Sequence, residues 1–275
     1  MTGLPSEVLM RLGPSPQDVT RLGTARVMRG NGLVAKAGPP ERIARETFLL
    51  GEAAALMPVG LPKIVDAGPG WILMEDAAGE PIPTADVSPL AGLAQMHELF
   101  EDATGIEHER FRDVFGRERE ELLADARHSA NAAALPQPLA ALLADPSPLF
   151  AIIDPQPRTL VHGDAWPGNV LAHGSRDFVW LDWGESGAGP ASFDLAVWLY
   201  GSPWAPGSTN PEGALGAYLA ARTTAFDPPG FKRAVDAAAV LGFLLAHLAS
   251  LTDREPDLIR RVIERRNELA MGLLD

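Results

Sequence analysis

The residues with the clearest chemical potential lie in the stretch VHGDAWPGNVL, at residues 161–171. It places His162, Asp164 and Asn169 in a short loop between two apolar runs, and Asp182 ends a further apolar run, FVWLD. Asn and Asp supply the hard oxygen ligands that Mg²⁺ prefers, and a carboxylate can accept a proton from a hydroxyl. The pattern predicts one base, Asp164, and two magnesium ligands, Asn169 and Asp182.

This loop also has a structural interpretation. An Asp beside Gly and Pro is most often a turn residue, so Asp164 by itself would not indicate an active site. His162 is interpreted as a hydrogen-bonding support of the loop rather than as a base. Trp166 has two interpretations of equal weight, a substrate contact or a residue that packs the loop.

A base and two metal ligands would serve phosphoryl transfer, which depends on positioning and charge neutralisation more than on covalent chemistry. Lys36, near the end of the β-like run GLVAK, could neutralise nucleotide phosphates. Glu46 follows ten residues later inside a predicted helix and could hold that Lys. Glu41 and Glu52 lie on the same predicted helix and compete for the holding role.

The elements that must position these residues change in character along the chain. Residues 1–76 contain β-like runs around Gly30-Asn31-Gly32, a hairpin signal, then a predicted helix within 39–57 and strands at 61–68 and 70–76. After residue 76 helical patterns dominate, except for β-like runs within 159–183. Helices are predicted at 88–103, 116–128, 134–144, 191–200, 211–223, 229–251 and 255–273.

Composition limits the classes of function. The 275 residues are 46% hydrophobic, enough for one large or two modest packed domains. Cysteine is absent, which excludes disulfides, thiolate metal sites and cysteine nucleophiles. The net charge of −13 argues against nucleic acid or an anionic membrane as a partner. With no signal peptide and no membrane-spanning run, we expect a cytoplasmic protein, a monomer or a weak homodimer.

The motifs resemble those of the aminoglycoside phosphotransferase and choline kinase family, small-molecule kinases with a protein-kinase-like fold. HGDAWPGN resembles the family's catalytic loop, His-x-Asp-x-x-x-x-Asn, and WLDWGESGAGPASFDLA resembles the stretch that follows it. LAQMHELF, with His97, resembles an upstream family helix, and ILMEDAAGEP resembles the hinge. The resemblance covers about residues 18–200.

The resemblance implies an α+β fold of the bilobal protein-kinase type. We expect a small β-rich N-lobe with one main helix at residues 1–76 and a larger, mostly α-helical C-lobe at residues 77–275. The family's roles imply that Asp164 orients or deprotonates the acceptor hydroxyl. Asn169 and Asp182 would hold Mg²⁺ at the nucleotide phosphates. The Lys36 side chain would contact the α- and β-phosphates, and Glu46, which precedes TFLL as in the family, would hold it.

Other residues receive supporting roles from the resemblance. Asp194, on the next helix, would brace the active-site loops together with His162. A buried Asp in an apolar helix is costly unless it is hydrogen-bonded, which agrees with a bracing role. The hinge would bind adenine through its backbone near Glu75, with Met74 as core or as a wall of the adenine pocket. Glu185, just past Asp182, is a candidate substrate contact, as is Trp166.

The implied activity is an ATP-dependent, Mg²⁺-dependent transfer of the γ-phosphate to a hydroxyl of a small polar molecule. ATP is the expected co-substrate, with GTP left open. The full Gly-x-Gly-x-x-Gly pattern of protein kinases is absent, and a phosphate-covering loop is expected near residues 22–26. The acceptor itself is not identified by any motif.

Two alternatives belong to other classes of function. One is a metal-dependent phosphohydrolase with a binuclear site. Its ligands would be His162, Asp164, Asn169, His173 and Asp182, although such sites usually contain more His ligands and would leave Lys36 without a role. The other alternative is a nucleotide-binding kinase-like protein without catalysis. Nothing in the polar residues indicates such a loss of activity.

Overall fold

The computed structural model describes residues 3–20, 25–102, 112–113, 119–129, 132–173, 177–201, 206–224, 227–248, 251 and 256–274. Most of the expected phosphate-covering loop, residues 22–24, therefore lies outside the described residues. The chain divides into two compact units, one formed by Met1–Pro83 with Gly168–Ser186 and one by Thr84–Pro167 with Gly187–Asp275. The lobe boundary expected after residue 76 stays a prediction. In the part of the chain that the structure describes, no helix could span a membrane.

The first unit contains a five-stranded antiparallel sheet. Its strands are β1 (Gln17–Asp18), β2 (Arg26–Gly30), β3 (Leu33–Ala37), β4 (Ile64–Gly68) and β5 (Trp71–Glu75). Their order is β1-β2-β3-β5-β4. The hairpin predicted from the Asn-Gly pair joins β2 to β3. Asn31 and Gly32 have φ values of 49° and 70°, as the tight two-residue turn of a hairpin requires.

Side chains along β3 and β5 alternate between the two faces of this sheet. One face packs against α1 (Ser6–Arg11), a helix that the sequence patterns did not predict. The apolar cluster there consists of Leu4, Val8, Leu12, Met28, Ala35, Ala37 and Leu73. Because side chains alternate along each strand, Lys36 on β3 and Met74 on β5 lie on the sheet face opposite α1. The main helix of the unit is α2 (Pro40–Leu50), which begins with Pro as predicted. It ends earlier than the predicted range, and a short 3₁₀ turn at Ala54–Leu56 follows it.

Residues 168–186 join the first unit as a second small sheet. It consists of β9 (Val170–His173) paired with β10 (Asp177–Trp180) and with the short β6 (Glu80–Pro81). Gly60 attaches this hairpin, because its carbonyl accepts a hydrogen bond of 2.9 Å from the Trp180 N–H. A Cβ atom at Gly60 would lie 2.5 Å from the Phe178 carbonyl oxygen, so the close approach requires glycine.

The second unit is mostly helical, with one small sheet. The sheet has the order β7-β11-β8, formed by Arg112–Asp113, Gly187–Pro190 and Arg158–Val161. Its described helices are α3 (Leu90–Leu99), α4 (Arg119–His128), α5 (Gln137–Ala144), α6 (Ser147–Ile153), α7 (Ser192–Tyr200), α8 (Pro211–Ala221), α9 (Pro228–Gly242) and α10 (Pro256–Leu274). All except α6 were predicted. The sheet-bearing first unit and helical second unit confirm the predicted α+β class.

Candidate active site

Lys36 lies on β3 with its ammonium group beside two carboxylates. Its Nζ is 2.7 Å from Glu46 Oε2 and 2.5 Å from Asp182 Oδ1. Burial alone would lower the pKa of Lys36, but the charges of Glu46 and Asp182 outweigh it and hold the pKa above its ordinary value. The first unit therefore presents a buried, permanently protonated amine, the kind of group that can contact nucleotide phosphates.

Glu46, rather than Glu41 or Glu52, is the residue of α2 that pairs with Lys36. The other two side chains are exposed, and Glu52 lies beyond the end of the helix. Glu46 is 2% exposed. Burial raises the pKa of its carboxyl, and the Asp182 charge raises it further, while Lys36 and the Trp183 N–H oppose the shift. Its negative charge thus depends on Lys36.

Asp182 follows β10 in a backbone conformation that is unusual for a residue with a side chain. Its φ and ψ are 62° and 61°, in the left-handed region, where non-glycine residues are uncommon and concentrate at functional sites. Its side chain is 50% exposed, although one oxygen contacts the buried Lys36. This carboxylate can therefore meet a ligand without leaving its place in the fold.

Asn169 lies at the same open end of the β9–β10 hairpin as Asp182, directly before β9. The Leu181 N–H donates to the Asn169 carbonyl at 2.8 Å, which extends the β9–β10 pairing by one residue and brings the chain at Asn169 beside the chain at Asp182. An amide oxygen and a carboxylate, with no soft ligand, suit Mg²⁺. Among the residues that the structure describes, no group of three or more His, Asp and Glu side chains is arranged to hold a metal ion.

The predicted hinge residues lie at the end of β5. Met74 is buried and pairs with Val34 across the sheet, on the face that also carries Lys36. The Glu75 backbone N–H donates to the Lys63 carbonyl at 2.8 Å, and the Asp76 N–H donates to the Gly32 carbonyl at 2.8 Å. Because both amides are engaged, an N–H that binds adenine would have to come from a residue after Asp76.

Two further side chains of α2 contact the segment 182–186. Arg42 forms an ion pair with Glu185, so the structure gives the candidate substrate contact a protein partner, and its role stays a prediction. Arg45 is buried, and its Nη1 donates to the carbonyl oxygens of Gly184 and Ser186 at 3.0 Å each. The sequence reasoning missed Arg45. A usable signal was its position on the apolar face of α2, four residues before the buried Leu49.

The loop that carries Asp164 lies in the second unit, directly after β8. The backbone N–H groups of His162 and Gly163 donate to Asp194 at 2.7 and 2.9 Å, and the Asp164 N–H donates to His162 Nδ1 at 3.3 Å. Gly163 has φ of 83°, a conformation that favours glycine. These are the contacts that supporting roles for His162 and Asp194 require. Trp166 and Asp164 are both half-buried.

Asp194 is the centre of a fully buried network. Besides the two backbone donors, its Oδ2 lies 3.0 Å from His97 Nε2, and His97 Nδ1 lies 2.9 Å from the Tyr218 hydroxyl. A carboxylate only accepts, so His97 donates to Asp194 through Nε2, and its Nδ1 shares a hydrogen bond with the Tyr218 hydroxyl. Burial would raise the pKa of Asp194, but the hydrogen bonds from the His97 side chain and the His162 backbone hold this pKa below its ordinary value. Tyr218 was not predicted.

Comparison with known proteins places this chain in a family. Residues 17–234 match the model of the phosphotransferase enzyme family. Among curated proteins, no sequence matches the chain.

Solved structures share the fold. An aminoglycoside 2′-phosphotransferase-IIIa in its GDP complex has a TM-score of 0.69 at 17% identity, over 94% of this chain and 92% of that one. A choline/ethanolamine kinase family protein from Mesorhizobium loti has a TM-score of 0.65 at 18% identity, over 96% and 89%. A macrolide 2′-phosphotransferase from Brachybacterium faecium has a TM-score of 0.58 at 24% identity, over 97% and 95%. The predicted kinase-like fold is confirmed.

Proposed function

The chain belongs to the phosphotransferase enzyme family, and from that premise we propose that it transfers the γ-phosphate of ATP to a hydroxyl of a small polar molecule. Family membership confirms the predicted enzyme class, a small-molecule kinase. It favours phosphoryl transfer over the phosphohydrolase alternative. The proposal adds the nucleotide, the metal ion, the base and the class of acceptor.

The observation that carries the proposal is the contact of Lys36 with Glu46 and Asp182. A hydrolase of the binuclear metal type has no use for a buried ammonium group between two carboxylates, whereas phosphoryl transfer needs a cation at the nucleotide phosphates. In the proposal Lys36 contacts the α- and β-phosphates. Glu46 keeps the amine in place, because it is the fully buried partner of the pair.

Asn169 and Asp182 would hold Mg²⁺, which is usually bound by one or two protein oxygens together with substrate phosphates and water. When bound, the ion neutralises charge on the phosphates. Asp182 is the better placed of the two, because its side chain is half exposed. Met74 would form a wall of the adenine site, since it shares a sheet face with Lys36, and the backbone after Asp76 would bind the base.

Asp164 would act as the catalytic base. It orients the acceptor hydroxyl and accepts its proton while the hydroxyl oxygen bonds to the γ-phosphorus, the bond from that phosphorus to the bridging oxygen breaks, and ADP leaves. The loop is held for this role by the bonds from its backbone to Asp194. Asp164 precedes Asn169 by five residues in the chain, so one short loop would supply both the base and a metal ligand.

The names of the solved structures support a proposal about the class of the acceptor but not about its identity. Their names include aminoglycoside, macrolide and choline or ethanolamine kinases, all of which act on hydroxyl-bearing small molecules. We propose the same class of acceptor, a small molecule with a hydroxyl group, for this chain, and we assign no particular acceptor. ATP is the proposed nucleotide, and GTP is the alternative because one solved relative is a GDP complex. We place the enzyme in the cytoplasm as a monomer or weak homodimer, with Trp166 and Glu185 as candidate acceptor contacts.

The test is the substitution Asp164→Asn, which keeps size and removes the base. We expect kcat for acceptor-dependent ADP release to fall by about 10²- to 10⁴-fold, with the Kd of Mg-ATP and the Tm nearly unchanged. An acceptor panel of aminoglycosides, macrolides, amino alcohols and sugars supplies the substrate.

Asp145 is a matched control, because it is an exposed turn residue whose carboxylate accepts from the Ser147 N–H at 3.0 Å. Asp145→Asn should keep full activity. If Asp164→Asn behaves in the same way, Asp164 is only a turn residue and the assigned mechanism is wrong.

A further inference from the structure

Helix α2 holds the segment that follows Asp182 through three side chains on one face. Arg42 is followed by Arg45 and Glu46 at separations of three and four residues, which bring side chains close on a helix surface. The first pairs with Glu185, the second donates to two backbone carbonyls, and the third accepts from the Trp183 N–H and from Lys36.

Arg45 makes the most unusual of these contacts. Its side chain is 7% exposed, and one nitrogen, Nη1, donates to the carbonyl oxygens of Gly184 and Ser186 at 3.0 Å each. Buried carbonyls need donors, and hydrogen bonds to a charged donor are stronger than neutral ones. The guanidinium group thus fixes two peptide units that are two residues apart.

The bonds within the segment 182–186 are local. The Ser186 N–H and hydroxyl both bond to the Trp183 carbonyl, at 3.1 and 2.7 Å, and the Trp183 indole N–H bonds to the Trp180 carbonyl at 3.0 Å. The three α2 side chains attach this turn to the helix, and among the described contacts Arg45 is the one that bonds to the backbone carbonyls at the far end of the turn. Asp182, in its left-handed conformation, precedes this turn, so any rotation of the turn would move its carboxylate.

We propose that Arg45 is a positioning residue that fixes the backbone of residues 184–186 and thereby holds Asp182 in its left-handed conformation against Lys36. The inference rests on the proposed function, in which Asp182 serves the nucleotide phosphates. Arg45 does not touch the reacting atoms. Its guanidinium group acts through the peptide units of Gly184 and Ser186. Helix α2 thus positions both carboxylates beside Lys36, Glu46 directly and Asp182 through Arg45.

The test compares Arg45→Met and Arg45→Lys with Arg127→Met. Arg127 is a matched control in the second unit, because it also donates to two carbonyls, those of Leu143 and Ala144, at 3.0 and 3.3 Å. Each purified variant is assayed for Tm, for amide hydrogen exchange of peptides from residues 181–187, and for the kcat and KM of ADP release from Mg-ATP.

For Arg45→Met we expect at least tenfold faster exchange of the 181–187 amides. We also expect a 10- to 100-fold lower kcat, because displacement of a group by about 1 Å can cost about 10² in rate. The KM for Mg-ATP should change less than threefold, since Lys36, the predicted phosphate contact, and Met74, the predicted wall of the adenine site, are untouched. Arg45→Lys should recover part of both effects, because a charged donor remains. Arg127→Met should lower the Tm and leave kcat and the 181–187 exchange unchanged.

The outcomes separate this inference from the proposed function. If wild-type protein turns over and Arg45→Met matches Arg127→Met in kcat and in exchange, Arg45 is merely structural and the inference is overturned. If the exchange of residues 181–187 rises in Arg45→Met but wild-type protein transfers no phosphate to any acceptor, the positioning stands and the proposed function fails. Should Arg45→Met not fold, Arg45→Lys decides by the same two measurements.

Discussion

Among the residues that the structure describes, each unit buries one carboxylate, and the two units stabilise it by opposite means. Glu46 in the first unit is paired with a cation, Lys36, which also contacts Asp182. Asp194 in the second unit is fully buried and accepts from two backbone N–H groups and from His97. The pKa values move in opposite directions. Burial raises that of Glu46, whereas hydrogen bonds hold that of Asp194 below its ordinary value.

The difference shows which group is built to meet a ligand. Lys36 has two carboxylate partners, and one of them, Asp182, is half exposed, so the amine and the outer carboxylate can accept phosphate and metal partners while Glu46 still compensates the buried charge. Every donor to Asp194 is part of the fold, and none of them can leave without exposing an unsatisfied group. The first arrangement suits binding, and the second suits support.

The largest effect is expected for Lys36→Met, which leaves Glu46 buried without its cation. Breaking a buried pair costs about 3–5 kcal/mol in the free energy of unfolding, and loss of the phosphate contact should lower kcat/KM for Mg-ATP by about 100-fold or more. The double variant Lys36→Met with Glu46→Leu replaces the pair by apolar groups and should recover most of the stability but none of the activity. Chemical denaturation and ADP release measure the two effects separately.

Lys232 is the control for this prediction, because it pairs with Asp236 four residues later in a partly exposed helix position. Lys232→Met should cost less than about 1 kcal/mol and leave kcat unchanged. If the Lys36→Met, Glu46→Leu double variant stayed as unstable as Lys36→Met, the cluster would be a structural centre like that around Asp194, and the contrast between the two units would disappear.

Asp194→Asn should lower the free energy of unfolding by about 2–3 kcal/mol. The carboxylate accepts hydrogen bonds from three donors, and the NH2 group of the amide would face at least one of them. A second substitution at His97 should not restore the stability, since in either orientation the amide NH2 group still faces one of the two backbone N–H groups. The folded-state pKa of Asp194 lies below the ordinary 3.8. The ionised carboxylate therefore stabilises the fold above about pH 3.8 and loses this effect as the pH falls through the lower, folded-state pKa.

Urea denaturation across that pH range measures the difference between wild type and Asp194→Asn. We expect a constant deficit from pH 8 to pH 5 that shrinks below pH 3.8. A deficit that began to shrink near neutral pH would mean that the titrating group is a histidine of the network and would overturn the assignment. Full recovery of stability by His97→Leu in the Asp194→Asn background would show that the backbone donors matter little.

The parts of the molecule that local patterns encode were predictable. The Asn31-Gly32 turn needs residues that tolerate positive φ, and the Pro at the start of α2 suits a first helical turn. The spacing of Asp164, Asn169 and Asp182 predicts phosphoryl-transfer chemistry, and the roles of these three residues stay a prediction. The order of strand and helix left three glutamates of the predicted helix as partners for Lys36. The family resemblance favoured Glu46, and the structure brings these two side chains to 2.7 Å.

The parts that depend on contacts between distant segments were not predictable from one sequence. Residues 168–186 group with the first unit through Gly60, whose role is visible only once the Phe178 carbonyl lies against it. In the sequence Arg45 is an ordinary helical Arg. Its role depends on two carbonyls, of Gly184 and Ser186, that lie 139 and 141 residues away in the chain. Tyr218 lies in an Ala-rich helix, and nothing local indicates that its hydroxyl reaches His97.

The smallest effect is expected for Tyr218→Phe, which removes the outermost hydroxyl of the Asp194 network and keeps the ring stacked on Phe231 at 5.5 Å. Loss of the hydroxyl, which bonds to His97 and to Arg222, should cost about 1–2 kcal/mol and leave kcat within twofold, because His97 still donates to Asp194. The ¹⁵N resonance of His97 Nδ1 should shift in this variant, because that nitrogen loses its hydroxyl partner. Tyr200→Phe is the matched control, since its hydroxyl bonds to Asp236 instead, and it should leave the His97 resonances unchanged. If Tyr218→Phe cost as much as Asp194→Asn, the network would depend on its outer hydroxyl rather than on the carboxylate that holds the backbone of the Asp164 loop.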